Sequence, residues 1–247
     1  MSKRQKMLLL FIIILVVGLG LGSIIVPKFW LIFDYSIAAA ELSTSECIKN
    51  LGDFNETHEI NIMGCDKGYL EFNDMKICNY FPDYIKYGED SQYHIRYVLY
   101  IDGRYQGGFS ITVTEPLNKQ FAESMVIESE IDGYAILKKY NINNDVDFIR
   151  FLAKNHDRKS TLFTSDEEII ENIYIKYFAS GFGNTPKITP ITGDYSGYIT
   201  YSEAGERGTI RQFFIEKNNK AYQFFFEPGN YYDDEKINEV MNTIIIE

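Results

Sequence analysis

Residues 7 to 27 form an unbroken apolar run, from Met7-Leu8-Leu9 to Ile25-Val26-Pro27, with no charge and one weakly polar side chain, Ser23. At about 1.5 Å per helical residue this run is about 30 Å long, the thickness of a bilayer's hydrocarbon core. It predicts a single transmembrane helix over 7–27, behind a short N-terminus, residues 1–6. Lys3, Arg4 and Lys6 precede the run, and Asp34 is the first acidic residue. Positive charge stays cytoplasmic, so the N-terminus is expected inside and everything after Lys28 outside the inner membrane.

A cleavable signal peptide competes for the same segment. Such segments have about 7 to 15 apolar residues and end in a small-x-small site. Pro27, Lys28, Phe29 and Trp30 follow the run and do not fit that pattern. Ala38-Ala39-Ala40 would fit, but it lies well beyond the run. The uncleaved anchor is therefore the expectation. Trp30, with Phe29 and Phe33, falls at the outer boundary, where amphipathic rings favour the headgroup layer. Gly18 and Gly22 form a small-xxx-small pair, a candidate helix–helix contact for a homodimer.

The rest of the chain reads as a folded domain. Hydrophobic content of 45% and aromatic content of 15% exceed what a disordered stalk carries. Residues 28–52 read as a juxtamembrane stalk, helical from about 35. Residues 53–247 read as an extracytoplasmic α+β domain, mainly antiparallel sheet with several helices. Two lobes near 53–140 and 141–247 are the alternative to one unit. Three of the 24 basic residues and none of the 35 acidic ones precede residue 28, so the outer part carries −14. Such a surface repels nucleic acid and anionic headgroups and suits a cationic protein partner.

Strand signals crowd the first half. Glu59–Met63 alternates, and Tyr69–Phe72 and Met75–Phe81 flank a turn at Asn73-Asp74. Tyr93–Ile101 and Arg104–Thr114 flank Asp102-Gly103, the strongest short hairpin signal here. Tyr134–Tyr140 reads as a strand, and Val146–Ala153 as a helix capped near Asn144. Ser165-x-x-Glu168 is a capping box opening a helix over 166–180. Its apolar stripe is expected at Ile169, Ile170, Ile173, Tyr174, Tyr177 and Phe178. Tyr195–Ser202, Thr209–Lys217 and Lys220–Glu227 read as strands, the last two joined by Asn218-Asn219. A helix from Asp233 to Met241 and an edge strand at Ile244–Ile246 close the chain.

Chemistry is harder to find. His58-Glu59 lacks the second histidine of a zinc-protease helix. Asn143-x-Asp145-x-Asp147 begins like a calcium loop, but Phe148 stands where glycine is needed. No nucleophile elbow or phosphate-binding loop is present, so no cofactor, metal or catalytic residue is assigned. Of the three cysteines, the turn at Asn73-Asp74 sets Cys78 opposite Tyr69. An extended chain would then leave Cys65 out of reach, so Cys47 is expected to pair with Cys65 or Cys78. Tyr231, Tyr232, Asp233, Asp234 and Glu235 form an aromatic and acidic stretch suited to partner contact. The expected function is a membrane-anchored, non-enzymatic binding protein of a bacterial envelope, of the type that confers immunity to a secreted toxin. A scaffold of an envelope or secretion complex and an anchored cell-wall hydrolase are the alternatives.

Overall fold

A computed structural model describes residues 26–40, 56–79, 84–91, 93–101, 104–182, 187–203, 209–227 and 234–247. Residues 7–25 of the run 7–27, with Gly18 and Gly22, lie outside these residues, as does Cys47. Among the described residues no helix is long and apolar enough to cross a membrane.

The fold is α+β, built on one eight-stranded sheet. Its strands are β1 (His58–Ile60), β4 (Tyr84–Ser91), β5 (His94–Ile101), β6 (Arg104–Thr114), β7 (Lys187–Gly193), β8 (Ser196–Glu203), β9 (Thr209–Lys217) and β10 (Lys220–Glu227). The order is β1-β7-β8-β9-β10-β6-β5-β4, antiparallel throughout except that β1 pairs with β7 in parallel. β10 pairs with β6 from Ala221↔Thr114 to Glu227↔Gly108. That ladder crosses the boundary drawn near residue 140, so the two candidate lobes share one sheet.

Each face of this sheet is covered. A second sheet, of β2 (Tyr69–Phe72), β3 (Met75–Cys78) and β11 (Ile245–Ile246), lies over one face with helix α6 (Asp234–Met241). Phe213, Ile215, Tyr222, Phe224 and Phe226 point into that core, against Met75, Ile77, Val240 and Met241. The other face meets α2 (Leu117–Ser129), α3 (Gly133–Lys139), α4 (Asp145–Asn155) and α5 (Asp166–Ser180). There Ile188, Tyr198 and Phe214 pack against Phe121, Phe148, Ile149 and Ile175. Side chains alternate along a strand, so neighbouring Phe213 and Phe214 serve opposite cores.

Several expectations need correcting. The strand expected over 134–140 is instead helix α3, Gly133–Lys139, with Tyr140 as its C-cap. Asp132 caps it by accepting the Ala135 N–H at 3.0 Å, and a Cβ on Gly133 would collide with the Ala122 backbone of α2. Helix residues replace the expected stalk start at 35: α1 occupies 26–40. The stripe on α5 is also different. Ile169 and Tyr174 are buried, but so are Glu171, Asn172, Ile175 and Lys176, while Tyr177 is exposed. This helix is enclosed on more than one side, because α1 docks on it.

The disulfide joins Cys65 to Cys78, with Cα atoms 5.5 Å apart, instead of using Cys47. The predicted register is present, with Tyr69 opposite Cys78. What differs is the chain before it. Gly68 takes a φ of +81°, a conformation open to glycine, and its carbonyl accepts the Asn79 N–H at 2.8 Å. Residues 65–68 therefore fold back rather than extend, and Cys65 returns to Cys78.

Candidate functional site

Charged groups buried in the helical layer are the main candidates, because burial without a partner is costly and the partners reveal what each group does. Glu171 on α5 is the centre of one cluster. Arg158 Nη1 donates to its Oε1 at 2.6 Å and the Tyr140 hydroxyl donates to the same oxygen at 2.8 Å. Lys139 reaches Oε2 at 3.3 Å. The Arg158 guanidinium also stacks 5.1 Å from the Tyr140 ring centre. This cluster floors an open cleft of about 800 Å³ between α3, α5 and the loop before α5, rimmed by Glu130, Lys159, Glu167 and Glu168. Both carboxylate oxygens of Glu171 are already engaged, so the floor is an ion network beneath a charged rim.

Lys176 lies one turn further along α5 and is also buried. Its ammonium donates to the His156 carbonyl at 2.5 Å and sits 5.1 Å from the ring centre of Tyr35 on α1. Burial lowers its pKa from the usual lysine range. Tyr35 in turn donates its hydroxyl to the Arg158 carbonyl at 2.7 Å, and Lys28 pairs with Asp166 at 3.3 Å. Helix α1 is thus fastened at two points to α5 and the segment before it.

A third cluster couples two carboxyl groups. Asp145, at the first turn of α4, is 1% exposed. Its Oδ1 accepts the Asn118 N–H at 2.9 Å. It so caps α2, whose own N-cap position holds Pro116 with no side-chain bond to give. The Asp145 N–H donates to Glu216 of β9 at 2.5 Å, and the two side chains are hydrogen-bonded to each other. Burial first, and Asp145 second, push the Glu216 carboxyl up to about 8. Burial pushes Asp145 up as well. The pair therefore shares a proton near neutral pH. A small polar cleft of about 250 Å³, lined by Asn118, Lys119 and Glu216 among others, opens beside it.

Such a pair invites a hydrolase reading, and geometry decides against glycoside cleavage. Carboxyl groups in hydrogen-bond contact are closer than the ~5 Å that retaining enzymes need and the ~6.5–9.5 Å of inverting ones. Asp145 also spends its lone pairs on the α2 terminus. Its work is to tie α2, α4 and β9 together.

The sequence-derived contact residues divide. Tyr231, Tyr232 and Asp233 lie outside the described residues. Asp234 opens α6 and is paired with Arg211 of β9, which stacks 5.5 Å from the Tyr201 ring centre. Glu235 is exposed beside it. The three histidines stay apart: His58 packs edge-on to Phe213 at 5.7 Å, His94 bonds Thr112 at 2.8 Å, and His156 closes α4. Among the described residues no group of acids, cysteines and histidines could hold a metal ion.

Asp145 figured in the sequence as part of a calcium-like spacing, whereas Glu171 and Lys176 drew no notice. The available signal was polar residues inside an otherwise apolar helix, at Glu171, Asn172 and Lys176. Glu216 on β9 gave none, because alternation places charged residues on exposed strand positions too.

No protein-family model and no curated protein matches the chain. A crystal structure from Bacteroides thetaiotaomicron is similar over 73% of this chain and 49% of its own, with a TM-score of 0.37 and 11% identity. The chain thus spans about half the length of that protein, and the likeness is too slight to support any inference about function.

Proposed function

We propose that this chain is a membrane-anchored extracytoplasmic binding protein of a bacterial envelope, held by residues 7–27 and acting by occupying a protein partner. Helix α1 carries the proposal. Its first two described residues, Val26 and Pro27, are the last two of the uncharged run, and it is fastened to the domain through Lys28–Asp166 and Tyr35–Arg158. An anchor joined to the domain by a docked helix suits a protein that must hold its binding surface at a set height and orientation. Within this class, immunity against a secreted toxin fits a domain of charge −14 whose large cleft has an acidic rim. A scaffold of a secretion or envelope complex is the neighbouring reading, favoured if Gly18 and Gly22 pair two copies.

Binding by a −14 domain to a cationic partner is steered electrostatically, so association should slow as salt passes about 0.15 M, where the screening length falls below about 8 Å. The test is to capture partners from envelope extracts with the full chain and to measure association rates across salt. A partner whose rate ignores salt would contradict the charge-steered reading. Turnover of wall polymer by the purified protein would replace binding with hydrolysis.

A further inference from the structure

Helix α1 presents two faces of opposite character. Val26, Phe29, Trp30, Phe33 and Ile37 are all exposed. On a wheel of 3.6 residues per turn they fall within about 100°, one continuous apolar stripe. Lys28 and Tyr35, which fasten the helix to the domain, fall on the opposite side. Val26, Phe29, Trp30 and Phe33 therefore face away from the protein, and Ile37, at the far end of the stripe, also borders the cleft between α1 and α5. Single exposed apolar residues are ordinary, but a contiguous stripe with two phenylalanines and the only tryptophan marks a contact surface.

A second apolar element stands beside it. The segment between α4 and α5 runs alongside α1, held at Arg158 by Tyr35 and at Asp166 by Lys28. Between those two ties it presents Leu162, 51% exposed, and Phe163, 99% exposed. Thr161 and Thr164 fix this projection, the Thr164 hydroxyl accepting the Thr161 N–H at 2.9 Å. An apolar pair held on a hydrogen-bonded turn is displayed, not hidden.

We infer that α1 lies along the outer headgroup layer of the bilayer, with its stripe toward lipid, and that Leu162-Phe163 inserts next to it as a second contact. This rests on the proposed anchor. The occupant follows from continuity: Val26, part of the stripe, is also one of the last residues of the charge-free run 7–27. Its orientation follows from length. Val26 to Ile37 spans about 16 Å of helix, whereas a headgroup layer is about 5–8 Å thick. An upright helix would lift Phe33 and Ile37 into water. A helix lying flat keeps all five residues at one depth. Asp166, Glu167 and Glu168 adjoin the loop, so the attraction is apolar rather than electrostatic and does not need anionic lipid.

The experiment uses the full chain in phosphatidylcholine nanodiscs, with Cys47→Ser to leave one reactive thiol at a time. An environment-sensitive dye is placed at Phe29→Cys, Phe33→Cys, Ile37→Cys or Phe163→Cys, and at Glu239→Cys on α6 as the water-exposed reference. Lipids brominated on the acyl chain then quench whatever lies near them. The expected result is several-fold stronger quenching at Phe163 than at Glu239, with similar quenching at positions 29, 33 and 37, all unchanged by high salt. Quenching at position 163 no greater than at Glu239 overturns the loop contact. Quenching that falls steadily from 29 to 37 overturns the flat helix. Dye–dye proximity without lipid quenching overturns both, since the stripe would then be covered by a second copy. A chain that fails to co-elute with the nanodisc overturns the anchor itself, an outcome distinct from a co-eluting chain whose Phe163 stays unquenched.

Discussion

On the face of the central sheet that meets α6 and the small sheet, the core is apolar side chains and two tyrosines. Their hydroxyls are satisfied, Tyr222 by Asp74 at 2.8 Å and Tyr195 by the buried Ile244 carbonyl at 3.0 Å. The Cys65–Cys78 disulfide lies on this side too. On the helical face, Asp145, Glu171 and Lys176 are each at most 5% exposed. Both faces are closed by apolar packing, but one adds a covalent link and the other adds hydrogen-bonded buried charge. Packing is indifferent to pH, whereas buried charge is not, so the two faces should respond differently to the same perturbations.

The largest expected effect is on the apolar face. Phe224→Ala leaves a cavity among fully buried neighbours and should cost about 3–5 kcal/mol in denaturant unfolding, equally at pH 5 and pH 8. Cys78→Ser, or reduction of the wild type, should cost about 3 kcal/mol, the value for a loop of this length. A loss below about 1 kcal/mol would mean that the disulfide does not hold the small sheet in place.

On the helical face Glu171→Ala strands Arg158 and Lys139. Arg158 is 27% exposed, so water recovers part of the loss. The cost should be about 2–3 kcal/mol, below that of a fully enclosed pair. Glu171→Gln keeps acceptors for Arg158 and Tyr140 and should cost less. Equal losses in the two variants would show that packing, not charge, is what Glu171 supplies.

Glu216→Gln gives the smallest change and the sharpest contrast between the faces. In the folded protein Glu216 holds its proton up to about 8, whereas an unfolded carboxyl releases it near the ordinary 4.5. Folding therefore takes up a proton between these values, and stability falls as pH rises through the window. The amide removes the titration while keeping an acceptor for the Asp145 N–H and a donor for its carboxylate. The variant should be more stable than wild type at pH 8, by about 1–2 kcal/mol after allowing for partial exposure, and nearly equal at pH 5. Parallel pH profiles would remove this pair as the source of the dependence.

The two faces were also unequally legible in the sequence. Hairpins read well because their signals are local. Asn218-Asn219 takes φ values of 54° and 62°, as a tight hairpin turn requires, and the flanking strands have the expected ends. The capping box at Ser165 set the start of α5, with Ser165 accepting the Glu168 N–H. Where context decides, reading failed. The segment Gly133–Lys139 is too short for periodicity to separate helix from strand, and the close approach to Ala122 settles it. Strand β7 carries Pro190 and drew no strand assignment. It survives because its parallel ladder with β1 begins only at Ile191. The buried charges of the candidate site depend on partners 13 to 71 residues away, at Arg158–Glu171 and Asp145–Glu216. No window of sequence contains both members of the longer pair.

Orientation about the membrane is tested most directly on the unaltered protein. Spheroplasts carrying the full chain are treated with a membrane-impermeant amine reagent, and labelled lysines are mapped by mass spectrometry. Lys154, Lys159 and Lys220 are exposed on the domain, and Lys3 and Lys6 precede the apolar run. The domain lysines should label in intact spheroplasts, Lys3 and Lys6 only after permeabilisation, and a peptide spanning Pro27-Lys28 should be recovered uncleaved. Domain lysines that label only after permeabilisation, or a mature chain beginning near Glu41, would contradict an anchored extracytoplasmic protein.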